Sequence, residues 1–375
     1  MIALLYLDNS ATTPIHPEVK EAMLPFLLEE FGNPSSKYYS LAENAKNAVK
    51  EARQALASLL GCDISEIIFT SGSTESNNLV IKGVADFYSD KGNHIITTKV
   101  EHPSVIETCK FLETKGFNIT YLDVDEYGRI DPKCLLTEIN EQTILVSIIW
   151  GNNELGSLND INQISKICME KNVFFHTDAT QVISKVDFDL ENYPGITFLS
   201  CSGHKFHGPK GTGATFIRRD QYGVLTKLTP LLHGGGQEQD IRSGTLPVHN
   251  IVGMGKAAEI AGKDLLTNIK NLNILEDYLT TILTEKFGAQ IVFNNDNTNK
   301  IPGLLSVQFK GVNNEILVKN LSPIIAASTG SACSSSKPSH VLSAIGLSID
   351  EVRATVRFSL SGNIVKESLD VFKKL

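Results

Sequence analysis

The chain has 375 residues, 42% of them hydrophobic and 20% charged, a length that exceeds one simple core and allows two domains. Its formal net charge of −8 disfavours a protein that grips a nucleic-acid backbone directly. No apolar run reaches the roughly eighteen residues of a membrane span, and Asp8 interrupts the N-terminal apolar stretch before it attains signal-peptide length, so a cytoplasmic protein is expected.

Ala42, Ala45, Val49, Ala52, Leu56 and Leu59 recur every three or four residues and predict a helix with one buried face. Between residues 66 and 200 apolar runs then alternate with helical patterns. "EIIFTSG" leads into "TESNNLVIKGVADFYSDKG", and "NHIITTKV" into "PSVIETCKFLETKG". "ILVSIIW" leads into "INQISKICMEKN", and "VFFHTDA" runs toward "ITFLSCS". These runs are apolar throughout, not alternating, as expected of a parallel sheet covered on both faces. From residue 251 a long helical stretch carries no strand signal; "AQIVFNN", "LLSVQFKG", "IIAAST" and "TVRFSLS" follow it, separated by helical segments. The pattern predicts a large α/β domain with a mainly parallel sheet, and a smaller α/β domain beyond a connecting helix.

The cysteines are Cys62, Cys109, Cys134, Cys168, Cys201 and Cys333. None forms a CxxC pair, so no metal site or thioredoxin-type pair is expected, and five of the six read as small buried hydrophobes.

The chemistry-bearing residues gather at predicted strand ends, where open α/β sheets bind ligands. In "FTSGSTESNNL" a strand runs into small residues and a helix start. Its N–H groups, with the hydroxyls of Ser73 and Thr74, would hold an anion. The plain alternative is a Ser or Thr cap followed by Glu75. Dinucleotide and P-loop fingerprints are absent, as are HExxH and GxSxG. Asp178 ends the apolar strand of "FFHTDATQ" and needs a partner there, either an arginine, a helix N-terminus or a protonated cofactor ring nitrogen. His102 follows another strand in "TKVEHPS", and "LSCSGHKFHGPKG" supplies Ser202, His204 and Lys205. A lysine at a desolvated, cation-flanked position serves as a Schiff-base nucleophile. An anion-binding helix start, a buried aspartate, a histidine and such a lysine together fit pyridoxal phosphate.

On these residues the chain resembles the cysteine desulfurases, pyridoxal-phosphate enzymes of fold type I in the class V aminotransferase group. The matching stretches include "YLDNSATTP", "TSGSTESNN", "EHPSV", "NNELG", "DATQ", "SGHKFHGPKG", "HGGGQEQDIRSGT" and "STGSAC", in order over nearly the whole chain. The resemblance implies a large cofactor-binding domain at 15–255, with 1–14 and 256–375 forming the small domain. It implies that Lys205 carries the cofactor and shuttles the proton, with His102 stacked on the ring. Asp178 would pair with the ring nitrogen, and Gln181 would contact the ring hydroxyl. Thr74, Ser202 and His204 would hold the phosphate, and Thr245 would reach the phosphate of the second subunit of a homodimer. Asn153 and Arg357 would fix the carboxylate of L-cysteine. Cys333 would be the nucleophile that takes the sulfur as a persulfide, leaving alanine, and passes it to an acceptor protein.

Four features depart from the family pattern. The segment between Cys333 and "PSHVL" is about two residues shorter than in long-loop members. Tyr39 and Ala42 stand where histidine and glycine are usual, Ser361 replaces a frequent glycine, and the chain stops soon after "ESLDVFKKL". They point the acceptor away from a general iron–sulfur scaffold and toward a thiolation enzyme acting on tRNA or the DNA backbone. Competing readings are a selenocysteine lyase or small-amino-acid transaminase of the same group, and a non-catalytic sulfur-relay protein. Cys333 argues against a transaminase; Lys205, His102 and Asp178 argue against a relay.

Overall fold

The apolar runs of the first two-thirds of the chain hydrogen-bond into one sheet. The computed structural model describes residues 4–330 and 338–374. A short strand β1 (Leu5–Tyr6) and helices α1 (Pro17–Leu28) and α2 (Ser40–Leu60) come first. Then follow β2 (Ile67–Thr70), α3 (Ser73–Phe87), β3 (His94–Thr98), α4 (Pro103–Glu113), β4 (Asn118–Leu122), α5 (Pro132–Glu138) and β5 (Thr143–Ser147). Helix α6 (Ile161–Glu170) leads to β6 (Phe174–Asp178), β7 (Phe198–Ser202) and β8 (Gly213–Ile217). These seven strands lie in the order β2-β8-β7-β6-β5-β3-β4. All neighbouring pairs are parallel except those of β8, which is antiparallel to β2 and β7. This is the fold type I architecture expected from the sequence.

Helices α3 and α4 bury Leu79, Val80, Val84, Val105 and Cys109 on one sheet face. The other face packs on α2, α6 and the first half of α7 (Val248–Phe287), through Val49, Leu56, Ile164, Ile251 and Met254. The α2 stripe is buried as its spacing predicts, except that Ala57 and Leu60 complete it while Leu59 stays half-buried.

Helix α7 has 40 residues and so spans about 60 Å at 1.5 Å per residue. Its second half buries Leu272, Leu275, Leu279 and Ile282 in a separate core. That core holds the antiparallel sheet of β9 (Ile291–Phe293), β10 (Leu304–Phe309) and β12 (Thr355–Ser359), in the order β12-β10-β9. Between β10 and β12 lie α8 (Asn314–Leu321), β11 (Ile325–Ala326), α9 (His340–Ala344) and α10 (Ile349–Val352). Strand β1 pairs parallel with β11 and places Leu7 in this second core. The N-terminal strip therefore joins elements from the far end of the chain.

Three strands have no counterpart among the predicted runs. Strand β1 is only two residues long. Strand β4, at the sheet edge, buries only Leu122 fully, so it lacks a continuous apolar run. Strand β8 is fully buried but starts on the last glycine of the Gly- and Pro-rich "HGPKGTG". Of the five described cysteines, Cys109, Cys168 and Cys201 are buried as expected, Cys62 is half-buried and Cys134 is exposed on α5.

Candidate active site

Because β2, β3, β5, β6 and β7 run parallel, their C-terminal ends open on one crevice, where a cavity of about 470 Å³ lies. Thr74, His102, Asn153, Asp178, Gln181, Ser202, His204, Lys205 and Arg357 all line it. Thr245 does not; it is exposed on the segment before α7. Cys333 lies outside the described residues.

Lys205 follows β7 on a short turn of helix, and its Nζ donates to the carbonyls of Ser10 (2.6 Å) and Ala11 (2.8 Å). These acceptors belong to the N-terminal strip, which is anchored to β12 by Asn9 Nδ2 to Ser359 O and Ser10 N–H to Ser359 Oγ, each at 2.8 Å. Gln181 Nε2 donates to the same Ser10 carbonyl at 2.9 Å.

Asp178 closes β6 and is 3% exposed. Its Oδ1 accepts the Thr180 N–H at 3.0 Å and its Oδ2 accepts Asn77 Nδ2 at 2.8 Å. The partner is thus an amide from α3 and a backbone N–H, not the arginine considered from sequence. The same Asn77 amide donates to Ser104 Oγ, which in turn lies 2.8 Å from His102 Nδ1. The Ser104 N–H also points at that nitrogen, at 3.2 Å. Nδ1 is therefore the acceptor, and in the neutral ring Nε2 carries the proton. Burial holds His102 below the ordinary histidine range against the opposing charge of Asp178. Burial likewise pushes His204 down to about 4, helped by Lys205 and Lys210. Both rings are neutral at pH 7.

At β2 the chain turns through Ser71 and Gly72 into α3. Gly72 is the N-cap and offers no side-chain acceptor, so neither Ser73 nor Thr74 caps the helix. Glu75 folds back to the Ser71 N–H at 2.9 Å and pairs with Arg242 at 2.8 Å. Behind the turn a Cβ at Gly213 would stand 2.5 Å from the Gly72 Cα, so only glycine lets β8 pass so close. The helix start, with its dipole and N–H groups, faces the cavity as an anion site.

Arg357, on β12, is 2% exposed. Its Nη1 donates to Asn153 O and its Nη2 to Asp8 Oδ1, each at 2.8 Å, while its buried Nε has no partner. Gln181 Oε1 is likewise buried without a partner. Lys185 is buried behind the site and is pushed down to about 7, first by burial and then by the charges of Lys205 and Arg357. Arg357, Lys205, Lys210 and the start of α3 give the cavity places for anionic groups.

Comparison with known proteins decides the family. The class V aminotransferase model matches residues 5–372. The cysteine desulfurase IscS of Dictyoglomus turgidum is 46% identical over 369 residues, covering 98% of this chain and 92% of that protein. A solved NifS-like protein superposes with a TM-score of 0.92 at 37% identity, covering 100% of this chain and 98% of the other. A structure described as SspA in complex with cysteine matches with a TM-score of 0.84 at 38% identity, covering 96% and 100%.

The chain belongs to the cysteine desulfurases of the class V aminotransferase family.

Desulfurases of this family depend on pyridoxal phosphate, and the cavity suits that group in three respects. The α3 start offers a phosphate an uncapped set of N–H groups. The orphaned Gln181 Oε1 wants a donor such as a ring hydroxyl. A buried, hydrogen-bonded carboxylate at Asp178 suits a protonated ring nitrogen. Sequence reasoning missed the desulfurase site's supporting residues: Asn77, Ser104, Asp8 and the carbonyls of Ser10 and Ala11. Asn77 and Asp8 lie inside quoted motifs, but a backbone carbonyl leaves no mark on residue type. The thiols of Cys109, Cys168 and Cys201 are pushed up to about 12 by burial and stay protonated at neutral pH.

Proposed function

We propose that the protein converts L-cysteine to L-alanine and keeps the sulfur as a persulfide on Cys333, with Lys205 holding the cofactor. The observation that carries this reading is the convergence of Lys205, Asp178, His102 and Arg357 on one cavity beside the start of α3. The cysteine-bound relative supports the choice of substrate. Bound pyridoxal phosphate supplies an electron sink that makes the Cα proton of an amino acid acidic.

Thr74, Ser202, His204 and the start of α3 take the phosphate. Asp178 would hold the proton on the ring nitrogen, Gln181 Oε1 would accept the ring hydroxyl, and His102 would stack on the ring. Arg357 Nε, otherwise without an acceptor, and the side chain of Asn153 take the substrate carboxylate. Lys205 Nζ moves the Cα proton. The Cys333 thiolate attacks the substrate sulfur, and the carbon–sulfur bond breaks with its electron pair left on carbon. Protonation of that carbon and return of a proton from Lys205 to Cα give alanine, and the sulfur stays on Cys333 as a persulfide. Residues 15–255 form the cofactor-binding domain in this reading, with 1–14 and 256–375 forming the small one.

The protein works as a homodimer in which Thr245 completes the second subunit's phosphate site; Arg242, bound to Glu75, ties the Thr245 segment to α3. It is cytoplasmic: the five described cysteines are free thiols, as in a reducing compartment, and no helix among the described residues is long and apolar enough to cross a membrane. The sulfur acceptor is a protein, and a thiolation enzyme for tRNA or DNA is favoured over an iron–sulfur scaffold. Two fewer residues in the Cys333 segment shorten its reach by up to roughly 7 Å, at 3.3–3.6 Å per residue. The acidic net charge suits transfer to a protein.

Two measurements test the reading. Lys205→Ala is expected to abolish alanine release and the visible cofactor absorption; alanine release at the parent rate would refute its role. Persulfidated enzyme is then offered a scaffold and a thiolation enzyme side by side, and faster transfer to the scaffold would overturn the acceptor alone.

A further inference from the structure

Glu154 is 2% exposed, follows the cavity-lining Asn153, and lines the cavity itself. Its backbone N–H is fixed by Asn152 Oδ1 at 2.8 Å, so its carboxyl projects from a rigid turn. Oε2 accepts the Ser339 hydroxyl at 2.5 Å. Ser339 also caps α9, accepting the Leu342 N–H at 3.1 Å, so the carboxylate is bound to the start of that helix. The same Oε2 fills the space beside Gly330 that a side chain would need: a Cβ there would stand 2.8 Å from it, and the backbone has φ +106°. Gly330 and Pro338 are the described residues nearest Cys333 on either side, and Ser339 follows Pro338. One carboxylate oxygen binds Ser339 and lies close to Gly330.

A second tie runs in parallel. His340 Nε2 lies 2.9 Å from the carbonyl of Glu101, the residue before His102. The descending side of the segment is therefore tied to the ring-facing histidine and to the substrate-carboxylate pair at once. Burial raises the pKa of the Glu154 carboxyl, against the Ser339 hydrogen bond and the charge of Arg357. A buried carboxyl in such a place is costly unless its contacts serve a purpose.

We propose that Glu154 is a positioning residue for sulfur transfer: by holding Ser339 close to Gly330, it fixes the described residues on either side of Cys333 relative to Asn153 and Arg357. This rests on Cys333 being the nucleophile. The positioning acts on the thiol and not on the cofactor, because no cofactor-binding residue is hydrogen-bonded to the Glu154 side chain among the described contacts. Losing it lets the segment ends shift relative to the substrate, and a displacement of about 1 Å at a reacting pair slows chemistry by up to roughly 100-fold.

The test uses cofactor-loaded enzyme and 35S-cysteine in single turnover, with label on the protein read after quenching. Glu154→Ala is expected to slow labelling by about 10- to 100-fold while the visible cofactor band persists. Glu154→Gln, which keeps an oxygen to accept the Ser339 hydroxyl, should restore most of the rate. Ser339→Ala should slow labelling as well, and the double variant should be no slower than Glu154→Ala alone, because the two losses are one interaction. Hydrogen exchange should accelerate in peptides covering residues 325–330 and 338–345 of both single variants. Labelling of Glu154→Ala at the parent rate, additive losses, or unchanged exchange in those peptides would overturn the proposal. Cys333→Ser separates the two levels: if it still takes label, the nucleophile assignment fails and this inference fails with it. If it takes none while Glu154→Ala labels normally, only the inference falls.

Discussion

Arg357→Lys isolates what a guanidinium does at this site that a charge alone does not. The arginine makes two buried bonds at 2.8 Å, to Asn153 O and Asp8 Oδ1, and keeps Nε for a ligand. An ammonium has one nitrogen. It can stay with Asp8 or turn to the substrate carboxylate, but it cannot reproduce the planar fork that serves all three. Retaining the charge spares Asp8 the loss of its ion-pair partner, so folding should suffer little. The substrate loses at least one charge-assisted hydrogen bond, worth about 1.5–3 kcal/mol, which is roughly a 10- to 150-fold fall in kcat/KM. The fall should appear mainly in KM, because the carboxylate is held before and during the reaction. Steady-state alanine production against cysteine concentration measures it, with cofactor absorption and thermal denaturation as controls. A kcat/KM within twofold of the parent, with cofactor retained, would refute the assignment of Arg357 to the substrate carboxylate.

Two further perturbations probe the protein elsewhere. Burial pushes Glu101 up to about 8 from an ordinary 4.5, so between those values the folded carboxyl holds a proton that the unfolded one has lost. Its contribution to stability is full below about pH 4.5 and is lost as pH rises through about 8. Glu101→Gln should flatten the decline of Tm across that window, and a decline parallel to the parent's would count against a protonated Glu101. Thr245→Ala should weaken cofactor retention and raise the dissociation constant of the dimer by linkage; an active parent that sediments as a monomer would exclude a shared site.

The strand ends that matter were legible because a parallel sheet gathers its C-terminal ends in one place. A polar residue just after a continuous apolar run, as at Asp178 or Ser202, therefore has few places to be other than the crevice. What stayed hidden depended on partners far along the chain. Strand β1 is two residues long and becomes a strand only by pairing with β11 from the far end of the chain. Strand β4 is a half-exposed edge without a continuous apolar run. Glu154 and Glu101 sit in recognisable motifs, but their burial and their contacts with residues 339 and 340 follow from tertiary packing alone. The Lys205 turn was the most readable feature and its acceptors the least, since Ser10 and Ala11 contribute carbonyls common to every residue.

The seam between the N-terminal strip and β12 also gives assembly on the ribosome an order. Asp8 is made 349 residues before the Arg357 it binds, and Asn9 is made 350 before Ser359. At about 5–20 residues per second, the first strip waits roughly 20–70 s for its final partners. Lys205, Asp178 and the start of α3 precede the long helix α7 and are translated well before β12. Capture of the cofactor can thus run ahead of competence for the substrate. A ribosome halted before β12 would carry a nascent protein in which Lys205 and Asp178 are already made and Arg357 is not.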